Sequence, residues 1–158
     1  METDPKTIDF LNGYLSIELT GHKQYLLHST TCGRWGLPRL AARQRAYSVE
    51  ETSHAFEVAE RLLFLEGTPS LADARPIRVV TRVEQQLALD RDLVGFAIGR
   101  LREAVQHCTH QRDAVSRALF QRMLVDEEDH LHWVETELGL IDRLGLPGYL
   151  RAQLGHDG

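Results

Sequence analysis

The stretch MLVDEEDHLHW, residues 123–133, sets ionisable side chains between two apolar segments. Read as a helix, it places Glu127 and His130 on one face, because residues three apart are neighbours at 3.6 residues per turn. Met123, Val134 and Leu138 share that face, so the carboxylate and the imidazole are expected to point into a core. A buried charged group is costly unless it is paired or holds a cation. What the rest of the chain can offer these two groups therefore decides how it folds and what it does.

Outward from this stretch the pattern is helical throughout. Asp4 before Pro5 has the form of an N-cap with proline at the first helical position, and Ile8, Leu11, Leu15, Tyr25 and Cys32 follow at helical spacing. This predicts a first helix over 5–34, roughly 45 Å long. WGLP at 35–38 interrupts it, and Tyr47, Val58, Leu62 and Leu65 predict a second helix over 39–66. Residues 67–81, GTPSLADARPIRVVT, have no sustained period and end in Thr81 with Glu84 three residues on, the form of a capping box. Val83, Leu87, Val94, Ile98, Leu101 and Val105 predict a third helix over 82–110, and a fourth follows over 113–143. PGYLRAQL predicts a short fifth helix over 147–154. Gly95 and Gly99 read as a site of close helix packing. Two short turns and one long middle connection describe an all-α, ferritin-like four-helix bundle whose crossover spans its length, in a single domain over 1–158.

The composition is that of an ordinary globular chain: 158 residues, 42% hydrophobic and 26% charged, with a formal charge of -5. Basic residues are interspersed with acids, which argues against a nucleic-acid partner and for cations. Cys32 and Cys108 are too few for a disulfide framework or a cysteine metal cluster and suit a reducing cytoplasm. No leader and no membrane-spanning stretch is expected.

The stretch EETSH repeats the opening motif, with Glu51 and His54 at i, i+3 on the second helix. Two Glu-x-x-His motifs facing one core, with one further Glu from each of the other helices, form the dinuclear site of di-iron carboxylate bundles. Carboxylate oxygens and imidazoles favour iron over zinc. Glu18 on the first helix's stripe supplies a fifth ligand. The third helix is the exception, because the position level with Glu18 is Val94. Asp90, one turn earlier, is the nearest acidic substitute, although an Asp is short for a gap of about 5 Å. His22 is either another substitute or a partner-contacting residue on the helix flank.

DPKTIDFLN, QYLLH, HAFEVAERLLFLEGTP, DEEDHLHWVETELGLI and GLPGYLRAQL together resemble a bacterioferritin subunit over essentially the whole chain. The resemblance implies a 24-subunit shell that stores ferric mineral, with a di-iron ferroxidase centre in each bundle and haem between paired subunits. Glu18, Glu51, His54, Glu127 and His130 match the iron ligands and Tyr25 the nearby tyrosine, while the family's third-helix glutamate falls on Val94. In that pattern Glu18 and His54 hold one iron, His130 the other, and Glu51 and Glu127 bridge them, leaving five of six ligands and a weakened second position. Thr52 stands where the family has its haem-ligating methionine, the chain's only methionines being Met1 and Met123. Arg45 and Thr31 depart from the residue types around the haem while Trp35 is kept, so haem binding is not expected. Two functions follow: an iron-storing shell with reduced ferroxidase activity, or a mainly structural subunit co-assembling with a complete paralogue.

Overall fold

The computed structural model describes residues 4–154, so Met1 lies outside the described residues. Four helices, α1 (Pro5–Arg34), α2 (Pro38–Phe64), α3 (Val83–Gln111) and α4 (Ala114–Gln153), make up the bundle, and no strand occurs among the described residues. None of these helices is long and apolar enough to cross a membrane.

The helix ends follow from local chemistry. The Asp4 carboxylate accepts from the Thr7 amide at 2.8 Å, as an N-cap should, and also meets His107 Nε2 of α3 at 2.6 Å. Between α1 and α2 the chain reverses through Gly36 at φ 76°, with the Leu37 amide returning to the Cys32 carbonyl. The capping box expected at Thr81 does not form. α3 begins one residue later than that box requires, behind Arg82, and no side chain caps it. Arg82 instead pairs with Glu84, the carboxylate the box needed. At the start of α4, Asp113 caps the Ser116 amide at 3.0 Å and also receives Arg61 from α2.

Cross-helix contacts fix the topology. Asp4–His107 and His28–Asp90 run α1 against α3, His22–Ser48 and Ser29–Ala41 run α1 against α2, and His54–Asp126 and Arg61–Ser116 run α2 against α4. The crossover completes the pattern by lying along α1. Asn12 bonds the backbone of Thr68 and Ser70, Thr20 that of Ala74, and Gln24 that of Arg78. Rising residue number in the loop thus tracks rising residue number in α1. The loop carries the chain back to the level where α2 began, and α3 can run parallel to α2.

The fourth and fifth predicted helices form one element with a bend. Within α4 only Gly145 leaves helical geometry, at φ 69° and ψ 156°, and Pro147 then occupies the first turn of the resumed helix, where its missing N–H costs nothing. Tyr149 in this tail is fully buried against Cys32, Leu40, Leu87 and Val134 and donates to Glu137 at 2.5 Å. The tail therefore plugs its own bundle. Gly95 and Gly99 are exposed, with open space where a Cβ would stand, so close packing within the chain does not explain them.

The interior is layered. One apolar cluster holds Leu11, Tyr14, Leu15, Leu62, Leu101, Phe120 and Met123, and another closes the opposite end around Cys32, Val83 and Tyr149. Polar residues fill the middle: Glu18, Gln24, His28, Gln44, Glu51, His54, Asp90, Glu127 and His130 are all buried. Asp113 joins α2, α3 and α4 at one end, so Asp113→Ala should cost about 1–2 kcal/mol. Asp113→Asn, which keeps a capping acceptor, should cost less, and thermal unfolding of the two variants checks the order.

Candidate metal centre

Glu18 of α1, Glu51 and His54 of α2, and Glu127 and His130 of α4 meet at one level of the bundle, each at most 7% exposed. They form two overlapping triads, Glu18/Glu51/His54 and Glu51/Glu127/His130, within each of which one donor atom per residue lies within 4.8 Å of the others. Glu51 belongs to both. Gly21 makes room for it, since a Cβ there would sit 3.2 Å from Glu51 Oε2. Both Glu18 oxygens, Glu127 Oε2, His54 Nδ1 and His130 Nε2 are buried without a hydrogen-bond partner. So many unmet polar atoms converging in one core could hold a cation, because a buried carboxylate is costly unless it is protonated, paired or bound to a metal.

Residues 8–144 match the ferritin-like domain family. The chain belongs to that family.

Relatives of this ferritin-like chain cover it almost end to end. It is 40% identical to a bacterial ferritin of Synechocystis sp. over 98% of this chain and 99% of the relative. It is 39% identical to a bacterial ferritin of Pseudomonas aeruginosa over 98% and 100%. A bacterioferritin of Rhodobacter capsulatus is 38% identical over 94% of this chain and 92% of its own length.

The two halves of the centre differ in their surroundings. In the first, His54 Nδ1 lies 3.5 Å from Glu18 Oε1 while Nε2 faces Asp126 Oδ2 at 3.2 Å. A carboxylate behind an imidazole fixes its orientation and raises its basicity, the usual support for a ligating histidine. His130 has no such partner. Its ring stacks on Tyr47, 3.4 Å between centroids and 12° from parallel, and meets the edge of Tyr25 at 5.1 Å. Arg43 Nε donates to the Tyr47 hydroxyl at 3.1 Å, and the Tyr14 hydroxyl donates to Glu127 Oε1 at 3.3 Å.

α3 contributes no donor. Val94 is fully buried, and no metal-holding group among the described residues contains an α3 side chain. Asp90 joins neither triad: its Oδ2 accepts from Gln44 at 2.6 Å, and its Oδ1, 2.9 Å from His28 Nδ1, makes no hydrogen bond. His22 is not with the triads either; its Nδ1 lies 2.8 Å from Thr52 Oγ1 and 3.0 Å from Ser48 on the flank of α2. Sequence reasoning missed Tyr14, Arg43, Tyr47, Glu50 and Asp126. Their signal was available: Tyr14 stands one turn before Glu18, Tyr47 one turn before Glu51, Arg43 one turn before Tyr47, and Asp126 beside Glu127. A polar or aromatic residue a turn away from a buried ligand candidate is a neighbour of the same site.

Burial dominates the electrostatics. It pushes the Glu18 carboxyl up to about 8, and Glu51 and Glu127 well above the ordinary carboxylate range, with the Glu51 charge adding to the rise at Glu127. Burial, followed by the Arg43 charge, pushes His130 down to about 3. Burial thus favours the protonated form of each carboxyl, and a cation bound there would have to displace those protons. A folded-state value raised above 4.5 stabilises fully below pH 4.5 and is lost as pH rises through about 8. Chelator-treated protein should therefore melt at a higher temperature at pH 5.5 than at pH 8, and Glu18→Gln should flatten the difference. A melting temperature that rises over this window would contradict the protonated-carboxyl account.

Proposed function

We propose that this chain takes up Fe(II), supports its oxidation by O2 and stores the ferric product inside a closed cytoplasmic shell of 24 copies. What carries the reading is the pair of overlapping triads with unmet buried donor atoms, in a chain of the ferritin-like family whose relatives are named bacterioferritin and bacterial ferritin. The donor set fits the cation: carboxylate oxygens and imidazole nitrogens suit iron.

Each side chain has a part in this mechanism. Glu18 and His54 would hold the first Fe(II) and His130 the second, with Glu51 and Glu127 between them. Asp126 orients His54, and the Tyr14 hydroxyl steadies one Glu127 oxygen. Tyr25, fully buried against the edge of His130, excludes water from that side. Two bound Fe(II) would supply two electrons to O2, which with two protons gives H2O2, and the carboxylates would offset the positive charge gained on oxidation. The carboxylates can do so only after releasing the protons that burial favours, so uptake is coupled to proton release.

The second position lacks its terminal carboxylate at Val94, and loss of one anionic ligand should weaken it by roughly 10- to 100-fold, judged from the cost of lesser supporting losses. Slow oxidation follows. Haem has no place in this reading: the Thr52 hydroxyl donates to the Ser48 carbonyl at 3.0 Å and faces His22, and a hydroxyl is a poor replacement for a thioether on haem iron. With Val94 and Thr52 both departing from the resembled pattern, a second reading has direct support: the chain is mainly a structural subunit that co-assembles with a complete paralogue.

Val94→Glu separates the two. If the chain's own centre works and is short of one carboxylate, the variant should oxidise Fe(II) in air at least about 10-fold faster than the unmodified chain, with iron retained in the assembled particle. Stopped-flow absorbance of the ferric product, followed by iron analysis of the particle fraction, measures both. Equal rates in the two proteins would place the oxidation elsewhere and favour the structural subunit.

A further inference from the structure

We infer that the outer face of α1 and α2 packs against a second copy of this chain across a twofold axis, where the two His22 side chains hold one Zn(II)-like cation between them. The inference rests on the assembly of copies proposed above and adds a cation site outside the bundle core.

The face is self-complementary. Along α2, Arg45, Val49, the adjacent Thr52 and Ser53, Phe56 and Glu60 recur at steps of three or four residues and so share one stripe. Val49 is 63% and Phe56 68% exposed, and apolar residues this open mark an interaction surface. Arg45 and Glu60 are exposed as well, and neither enters an ion pair among the described residues. An antiparallel copy centred between Thr52 and Ser53 sets Arg45 against Glu60 of the partner subunit and Val49 against the partner's Phe56. In a twofold pair each of these contacts occurs twice. A parallel copy in register would instead set Arg45 on Arg45 and Glu60 on Glu60, so charge selects the antiparallel arrangement.

His22 stands at the centre of this pairing. Its Nδ1 lies 2.8 Å from Thr52 Oγ1 and 3.0 Å from the Ser48 carbonyl. A carbonyl only accepts, so Nδ1 carries the hydrogen. Both hydroxyls agree, since Ser48 donates to the His22 carbonyl at 2.9 Å and Thr52 to the Ser48 carbonyl at 3.0 Å. The hydrogen bonds of this ring among the described residues all fall on Nδ1, which leaves the lone pair of the neutral ring on an unpartnered Nε2. The ring lines a groove of about 310 Å³ with Leu26, Arg45 and Val49. An imidazole anchored through one nitrogen presents the other as a fixed ligand. The neighbouring positive charges are answered: Lys23 meets Asp73 at 2.7 Å, and Arg45 meets Glu60 of the partner subunit. Two such nitrogens completed by water suit a borderline ion such as Zn(II), whereas Mg(II) and Ca(II) require oxygen donors. One copy supplies a single nitrogen, so the site is incomplete without the second.

Zinc counting on the assembled full chain tests this, after metal removal and equilibration with Zn(II). The unmodified chain should hold half an equivalent per subunit more than His22→Gln, because one ion serves two subunits, while zinc at the buried triads is common to both and cancels. Thr52→Val, which removes one anchor of the ring, should weaken that half equivalent by roughly 10-fold. Glu60→Arg should lose it, and adding Arg45→Glu to Glu60→Arg should restore it. Crystals grown with Zn(II) and measured at the zinc absorption edge should show a peak between the two Nε2 atoms. Equal zinc in the unmodified chain and His22→Gln, with particles of full mass in light scattering, would overturn the shared site and leave the shell reading standing. A chain that stays monomeric would overturn both.

Discussion

Three carboxyls and two imidazoles buried at one level of a four-helix bundle impose the constraint on which the rest of this structure depends. Removed from water, each would destabilise the fold unless something compensates it. Within the chain the compensation is incomplete: Tyr14 reaches one Glu127 oxygen and Asp126 one nitrogen of His54, while both Glu18 oxygens stay bare. The apolar layers on either side, around Phe120 at one end and Tyr149 at the other, hold the level in place and exclude solvent. The fold carries the cost of these groups, which a proton on each carboxyl lowers and a bound cation would lower further.

A second polar layer next to the first is more fully partnered, although His28 Nδ1, Gln44 Oε1 and Asp90 Oδ1 in it make no hydrogen bond. The Arg78 backbone binds Gln24 twice, its amide donating to Oε1 at 3.0 Å and its carbonyl accepting from Nε2 at 2.9 Å. Gln24 Nε2 is thereby fixed as a donor, so His28 Nε2, 2.9 Å away, must accept. The remaining imidazole hydrogen is then on Nδ1, which faces Asp90, and Gln44 supplies a donor to the other Asp90 oxygen. This network ties the crossover, α1, α2 and α3 together at one point. It also holds Asp90 apart from the two triads, although it lies one turn from Val94.

Much of this was legible in the sequence. Four helices, a crossover along the bundle and two paired motifs on facing stripes all follow from apolar period and from where a charge breaks it. The crossover could be read because its length exceeds any turn, and its hydrogen bonds to Asn12, Thr20 and Gln24 are the physical reason it can be long. What stayed hidden depends on which of several partners a side chain chooses. Glu84 had both an amide and Arg82 within reach, and took Arg82. Tyr149 reads in the sequence only as part of a short fifth helix, because no local pattern says that a bend at Gly145 swings it into its own core. Arg43 and Tyr47 were silent for the same reason: a one-turn spacing shows that two residues are neighbours and not that one of them stacks on His130.

The asymmetry of the two triads is the central claim, and metal occupancy tests it most directly. Crystals of the unmodified chain soaked anaerobically with Fe(II) and measured at the iron absorption edge should show a strong anomalous peak among Glu18, Glu51 and His54. The peak beside Glu127 and His130 should be weak or missing, because Val94 offers no carboxylate there. Two peaks of equal height would contradict the asymmetry.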